Sequence, residues 1–82
     1  MAGVKTDPEI VKAFAERFNA LREAAGLGRS DLAYDLSVPY TQLHQWSSGK
    51  FCPSIHYLVK IADYFDVPLD YLVGRSDDQK RR

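Results

Sequence analysis

Apolar side chains recur along this chain at steps of three and four, the period of helices that bury one face, and they never keep up the alternation of a half-buried strand. Asp7-Pro8-Glu9 opens the first helix with a capping carboxylate, a proline at the first helical position and a first-turn acid. Ile10 or Val11, Phe14, Phe18, Leu21 and Ala25 mark its inner face, and Gly26 lets it stop. A short second helix starts at Arg29 and ends at Leu36 with Leu32, Ala33 and Leu36 inward. Ser37-Val38-Pro39 turns the chain into a third helix, which stops at Gly49. After the loop Lys50-Phe51-Cys52-Pro53, a fourth helix begins near Ser54 and directs Ile55, Leu58, Ile61, Ala62 and Phe65 to the core. Asp66-Val67-Pro68 breaks it, and Leu69, Leu72 and Val73 form a brief fifth helix that Gly74 ends. No Asn-Gly or Asp-Gly hairpin turn and no internal repeat is present. The expected fold is all-α, with one five-helix domain over residues 7–74 and a flexible arm at 1–6. The charged tail at 75–82 has no apolar residue to pack and is expected to be a disordered segment or linker.

The third helix differs from its neighbours in what it leaves outside. Leu43 and Trp46 are three apart and share one side, while Thr41, His44, Gln45 and Ser48 take the other without a charge among them. A face built only for solubility draws on Glu, Lys and Arg. Hydroxyl, amide and imidazole groups are the types that meet base edges in a major groove: Gln pairs with adenine N6 and N7, Thr touches a thymine methyl, and His44 or Tyr40 can donate to a base or phosphate. The plain alternative is that these groups only solvate a surface helix. Two short helices joined by a three-residue turn, the second polar outside, describe a helix-turn-helix. Ala33 is small where the two must approach, Val38 plugs the gap between them, and Leu43 and Trp46 seat the second.

Composition supports a small self-sufficient domain. A hydrophobic content of 45%, with four Phe, five Tyr and one Trp, can core 82 residues without a metal or disulfide. The single Cys52 excludes a disulfide scaffold and fits a reducing, cytoplasmic setting. No apolar run approaches the roughly 20 residues of a membrane span, and no basic-then-apolar leader opens the chain, so neither membrane nor export is indicated. Charge argues the other way on nucleic acid, because the net charge is zero where such partners usually demand a basic excess. Up to Gly74, seven Lys or Arg stand against nine acids, and the tail carries +2. Arg29 and Lys50 nevertheless flank the third helix while Asp63, Asp66 and Asp70 gather toward the other end, which reads as a polarised domain.

The succession Leu21-Arg22, Leu32-Ala33, Val38, Leu43, Trp46, Gly49, Pro53, Leu58, Ile61-Ala62, Val67, Leu69 and Leu72 resembles the phage repressor and Cro family of XRE type, over roughly residues 10–74. The resemblance implies a compact five-helix domain of the lambda-repressor-like DNA-binding type, with helices 2 and 3 as the helix-turn-helix. It further implies that helix 3 enters the major groove of double-stranded DNA, usually in a homodimer on a two-fold operator. It places base contacts at Tyr40, Thr41 and Gln45, of which the angular reading reaches Thr41 and Gln45 independently, with His44 beside them. It places a phosphate contact at Arg29, which opens helix 2 where an anion is already favoured. Lys50 and Ser48, at the end of helix 3, are further phosphate candidates.

The chain departs from the family pattern at several positions. Ser37 replaces the glycine of the helix turn, which implies strain there if the backbone is left-handed. Pro39 and Pro68 stand where Ser or Thr usually caps the following helix, and proline has no capping oxygen. Arg22 loses the glutamate that the family places at position 47, here Ser47, and is expected to turn to Ser47, a backbone carbonyl or a DNA phosphate.

Other chemistry finds little support. His44, Cys52 and His56 match no zinc spacing, and no nucleophile elbow, phosphate loop or metalloprotease motif occurs, so no metal, cofactor, small-molecule substrate or enzyme activity is expected. Tyr57 and Tyr64 flank the stripe of the fourth helix and Tyr71 follows in the fifth. They form either a partner surface, favoured toward that end of the domain, or rings lying over core edges. The expected function is sequence-specific DNA binding by a repressor-like transcriptional regulator. The alternative is an antitoxin- or antirepressor-like interaction module that keeps the fold without strong DNA binding.

Overall fold

Five helices make up the regular structure of residues 7–81, the part of the chain that the computed structural model describes: α1 (Pro8–Ala24), α2 (Arg29–Leu36), α3 (Tyr40–Ser47), α4 (Ile55–Phe65) and α5 (Leu69–Leu72). The arm expected at 1–6 lies outside the described residues. Asp7 caps α1 by accepting from the Glu9 N–H at 2.9 Å, with Pro8 following it. Val11 is buried and Ile10 exposed, which decides the position that spacing left open.

The long α1 is the spine of the fold. It packs on α3 and α5, α2 packs on α3 and α4, and α4 closes against α5. Phe14 and Phe18 stack at 5.3 Å, Phe18 meets Trp46 edge-on at 6.4 Å, and Leu32, Leu36, Leu43, Ile61 and Leu72 are fully buried around them. Each such side chain contributes about 1.5–3 kcal/mol on leaving water. Two expected inner positions are corrected. Ala25 follows α1 and is exposed, Leu27 packing on the core instead. Ile55 is 67% exposed, because α4 reaches the core only from Tyr57 onward.

All five helices end alike. The residue in the left-handed region returns its N–H to the last turn, and the next residue returns its own one step further back. In α2 these bonds run from Ser37 to the Tyr34 carbonyl at 3.1 Å and from Val38 to Ala33 at 3.0 Å. In α4 they run from Asp66 to Asp63 at 3.3 Å and from Val67 to Ala62 at 3.0 Å. Ser37 and Asp66 hold φ at 58° and 56°, so the strain expected at Ser37 is present, at a cost of about 1 kcal/mol. Val38 and Val67 are buried directly after, and Pro39 and Pro68 open the next helix without a side-chain cap. Ser37-Val38-Pro39 and Asp66-Val67-Pro68 are one local device used twice.

The tail leaves close against α1: a Cβ on Gly74 would lie 2.7 Å from the Ala13 methyl. Arg17 then pairs with Asp77 at 2.7 Å while lying 4.3 Å over the Tyr71 ring. Arg81 pairs with Asp63 at 2.6 Å and donates from Nε to the Val67 carbonyl at 3.1 Å. These contacts reach Asp77 and Arg81 of a segment that has no regular structure. Among the described residues no helix is long and apolar enough to cross a membrane.

Candidate nucleic-acid interface

One side of α3 is committed to the interior. Leu43 is fully buried, Trp46 and Ser47 nearly so, and the Trp46 ring lies between Phe18 and Tyr57, the latter 5.3 Å away. Val38 is buried in the turn and Ala33 lies buried in α2, which packs against α3. With two aromatic neighbours and a buried turn behind it, α3 has little freedom to roll, and its outer face is fixed in direction.

That face carries the groups read from the sequence. Thr41, His44 and Ser48 are exposed, Tyr40 is about half exposed and Gln45 half-buried. The Tyr40 and His44 rings lie 6.2 Å apart, one turn along the helix. The Gln45 amide and the Thr41 hydroxyl have no hydrogen-bond partner among the described residues, so both are free to bond outward. Ser48 Oγ donates to the Gln45 carbonyl at 3.2 Å. The first turn of α3 has no acid and no side-chain cap, which leaves its N–H groups and positive dipole end open beside Tyr40 and Thr41.

The arginines are arranged differently from expectation. Arg22 is 8% exposed and donates from Nη1 to the Leu27 carbonyl at 2.9 Å, one of the backbone options expected once its glutamate was lost. Its phosphate role is corrected on that ground: a buried guanidinium spent on the end of its own helix does not reach a duplex. Glu23 lies 3.7 Å from Nη2, an ion pair too long for a hydrogen bond, and the buried Nε is unpartnered. It is Arg29 that takes Ser47, donating from Nε to Oγ at 3.1 Å while Oγ donates to the His44 carbonyl at 3.1 Å. Arg29 thus braces the start of α2 on the end of α3, its terminal nitrogens unpartnered among the described residues. Lys50 is exposed just beyond α3 and equally unpartnered there. Asn19, which the sequence reading missed, donates to the Ser47 carbonyl at 2.8 Å and ties α1 to the same point. Its place three residues before Arg22, on the same side of α1, was the available signal.

Among the described residues no three His, Cys, Asp or Glu side chains are grouped to hold a metal. Burial pushes the Cys52 thiol up, which keeps it protonated and poorly nucleophilic. The tyrosines serve the fold: Tyr57 lies on Trp46, Tyr71 is buried under Arg17, and the Tyr64 hydroxyl donates to Asp35 at 2.7 Å. The bond to that carboxylate raises the Tyr64 phenol above its usual range.

The chain matches the helix-turn-helix domain family over residues 15–77 and belongs to it. It is 32% identical over 60 residues to the cryptic phage CTXphi transcriptional repressor RstR of Vibrio cholerae serotype O1, a match covering 73% of this chain and 54% of that protein. The chain therefore spans about half the length of the curated relative it matches. No solved structure matches it significantly.

Proposed function

We propose that this domain binds double-stranded DNA as the reading head of a repressor-type transcriptional regulator, laying α3 in the major groove. The observation that carries this reading is the uncharged, hydrogen-bonding outer face of α3 on a helix pinned by Leu43 and Trp46. Gln45 pairs with an adenine, Thr41 touches a thymine methyl, and Tyr40 and His44 fill the positions beside them. Arg29, Lys50 and Ser48 grip phosphates at the C-terminal end of α3. A homodimer on a two-fold operator, with half-sites about 34 Å apart, completes the arrangement. Membership of a helix-turn-helix family and likeness to a named phage repressor support it. The protein acts in the cytoplasm by occupying its operator.

A docking module that keeps the fold without DNA is favoured by one observation, the zero net charge. Titrating the protein onto a random duplex at low salt separates the two. A DNA reader binds in the micromolar range or weaker, with log affinity falling by about 0.9 per decade of salt for each neutralised phosphate. Absence of any salt-sensitive binding overturns the DNA reading.

A further inference from the structure

Arg29 is an exposed residue whose head is tied down. It opens α2, reaches the end of α3 and donates from Nε to the Ser47 hydroxyl at 3.1 Å. An arginine at a surface ordinarily samples many rotamers, because water satisfies it equally well in each. The acceptor here does not move as water does. Ser47 is 7% exposed, and the one hydrogen of its hydroxyl goes to the His44 carbonyl at 3.1 Å, so towards Arg29 the oxygen can only accept. The carbonyl of the same residue takes the Asn19 amide at 2.8 Å, which fixes position 47 to α1 as well. Held by Nε, Arg29 keeps both terminal nitrogens, and no carboxylate among the described residues pairs with them.

We propose that Ser47 is a positioning residue for the phosphate grip: it orders Arg29 before DNA arrives, so that the terminal nitrogens stand at a set place beside the reading helix. The proposal rests on the DNA reading above and says how one of its phosphate contacts is made. Rotamer freedom that a long side chain otherwise loses at the moment of binding is lost on folding instead, which is worth about two- to tenfold in affinity. Ser47 also belongs to α3 itself, so a phosphate held by Arg29 is placed in register with the groups that meet the bases. The pairing of residue types suits this task. A lysine has one nitrogen and could not hold Ser47 and reach beyond it, whereas the guanidinium fork does both. A glutamate at position 47, as in the family pattern, would take up the charge of Arg29; the serine orders the guanidinium and leaves its charge for the duplex.

Nitrogen-15 relaxation of the Arg29 side chain in the full chain without DNA is the first test. The expected result is an ordered Nε–H that Ser47→Ala sets loose. The second test is a double-mutant cycle on binding to a random duplex at low salt. Ser47→Ala is expected to weaken binding about two- to tenfold with the salt slope kept, because Arg29 still meets its phosphate but must be ordered on arrival. Arg29→Ala loses more and lowers the slope by about one for each copy bound, and adding Ser47→Ala to it costs nothing further. That comparison separates positioning from bracing, since a serine that only steadies α3 would be missed just as much in the absence of Arg29. A mobile Nε–H in the unaltered chain overturns the proposal without any variant having to fold. Undiminished binding by Ser47→Ala, or an equal loss with and without Arg29, overturns it too and leaves the DNA reading standing. Absence of any duplex binding by the unaltered chain removes the DNA reading and this inference with it.

Discussion

Thr41 is exposed and Gln45 half-buried, one turn apart on α3, with neither hydroxyl nor amide bonded to the protein among the described residues. A side chain whose polar group bonds nothing in the protein can be removed with little effect on stability. Gln45→Ala is therefore expected to weaken binding to the cognate site by about 1–3 kcal/mol while leaving random-duplex affinity and melting unchanged. Equal losses on both DNAs in a titration would take Gln45 out of the reading role. Ser47 is the opposite case. It lies between Arg29 and Asn19 where α1, α2 and α3 meet, at the position where the family pattern has a glutamate for Arg22, whose buried Nε has no acceptor here. Ser47→Glu restores that carboxylate, and the cost of burying it is expected to be offset by two guanidinium groups, Arg29 already bonded to position 47 and Arg22 already desolvated. The expected gain is about 1 kcal/mol, read as a rise in melting temperature of about 4–8 °C; a fall would show that the junction cannot accommodate the longer side chain.

At the level of elements, helix termination is the most local feature of this protein. The carbonyls of each last turn are satisfied by N–H groups one or two residues away, so the stops at Gly26, Gly49 and Gly74 could be read from residue type alone. Ser37 and Asp66 adopt the same backbone with a Cβ in the way. Ser37 is exposed and its side chain holds nothing among the described residues. Ser37→Gly is thus expected to relieve the strain and raise stability by about 0.5–1 kcal/mol in chemical denaturation, whereas Ser37→Val lowers it. Element boundaries were correspondingly legible, α2 and α3 included. The exposure of Ile55 was not, because periodicity shows which residues share a face and not where along a helix its neighbours begin.

For the whole molecule, a net charge of zero conceals an uneven distribution. The carboxylates at the α4 end, Asp63 and Asp66, are met by Arg81, and Asp77 is met by Arg17. The two cations beside α3, Arg29 and Lys50, have no acidic partner among the described residues. A phosphate backbone approaching α3 thus meets unneutralised cations, although the chain as a whole is neutral. Lys50→Ala is expected to weaken cognate and random duplexes alike and to lower the salt slope by about one for each copy bound, with melting unchanged. An unaltered slope would show that Lys50 faces water in the complex.

Helix number, order and stops, the inward positions of α1 to α3 other than Ala25, and the uncharged outer face of α3 were readable along the chain, because each depends on groups within a turn or two of one another. The tertiary structure alone decided where the long polar side chains go. Arg29 reaches Ser47 across 18 residues, Asn19 reaches it across 28, and Arg17 finds Asp77 across 60. Arg22 instead bonds the Leu27 carbonyl just past its own helix. An arginine has several acceptors within reach of its stem, and which one it takes is set by the packing that brings distant backbone together. The same packing leaves Ile55 and Val59 uncovered at the edge of a core to which their period had assigned the first of them.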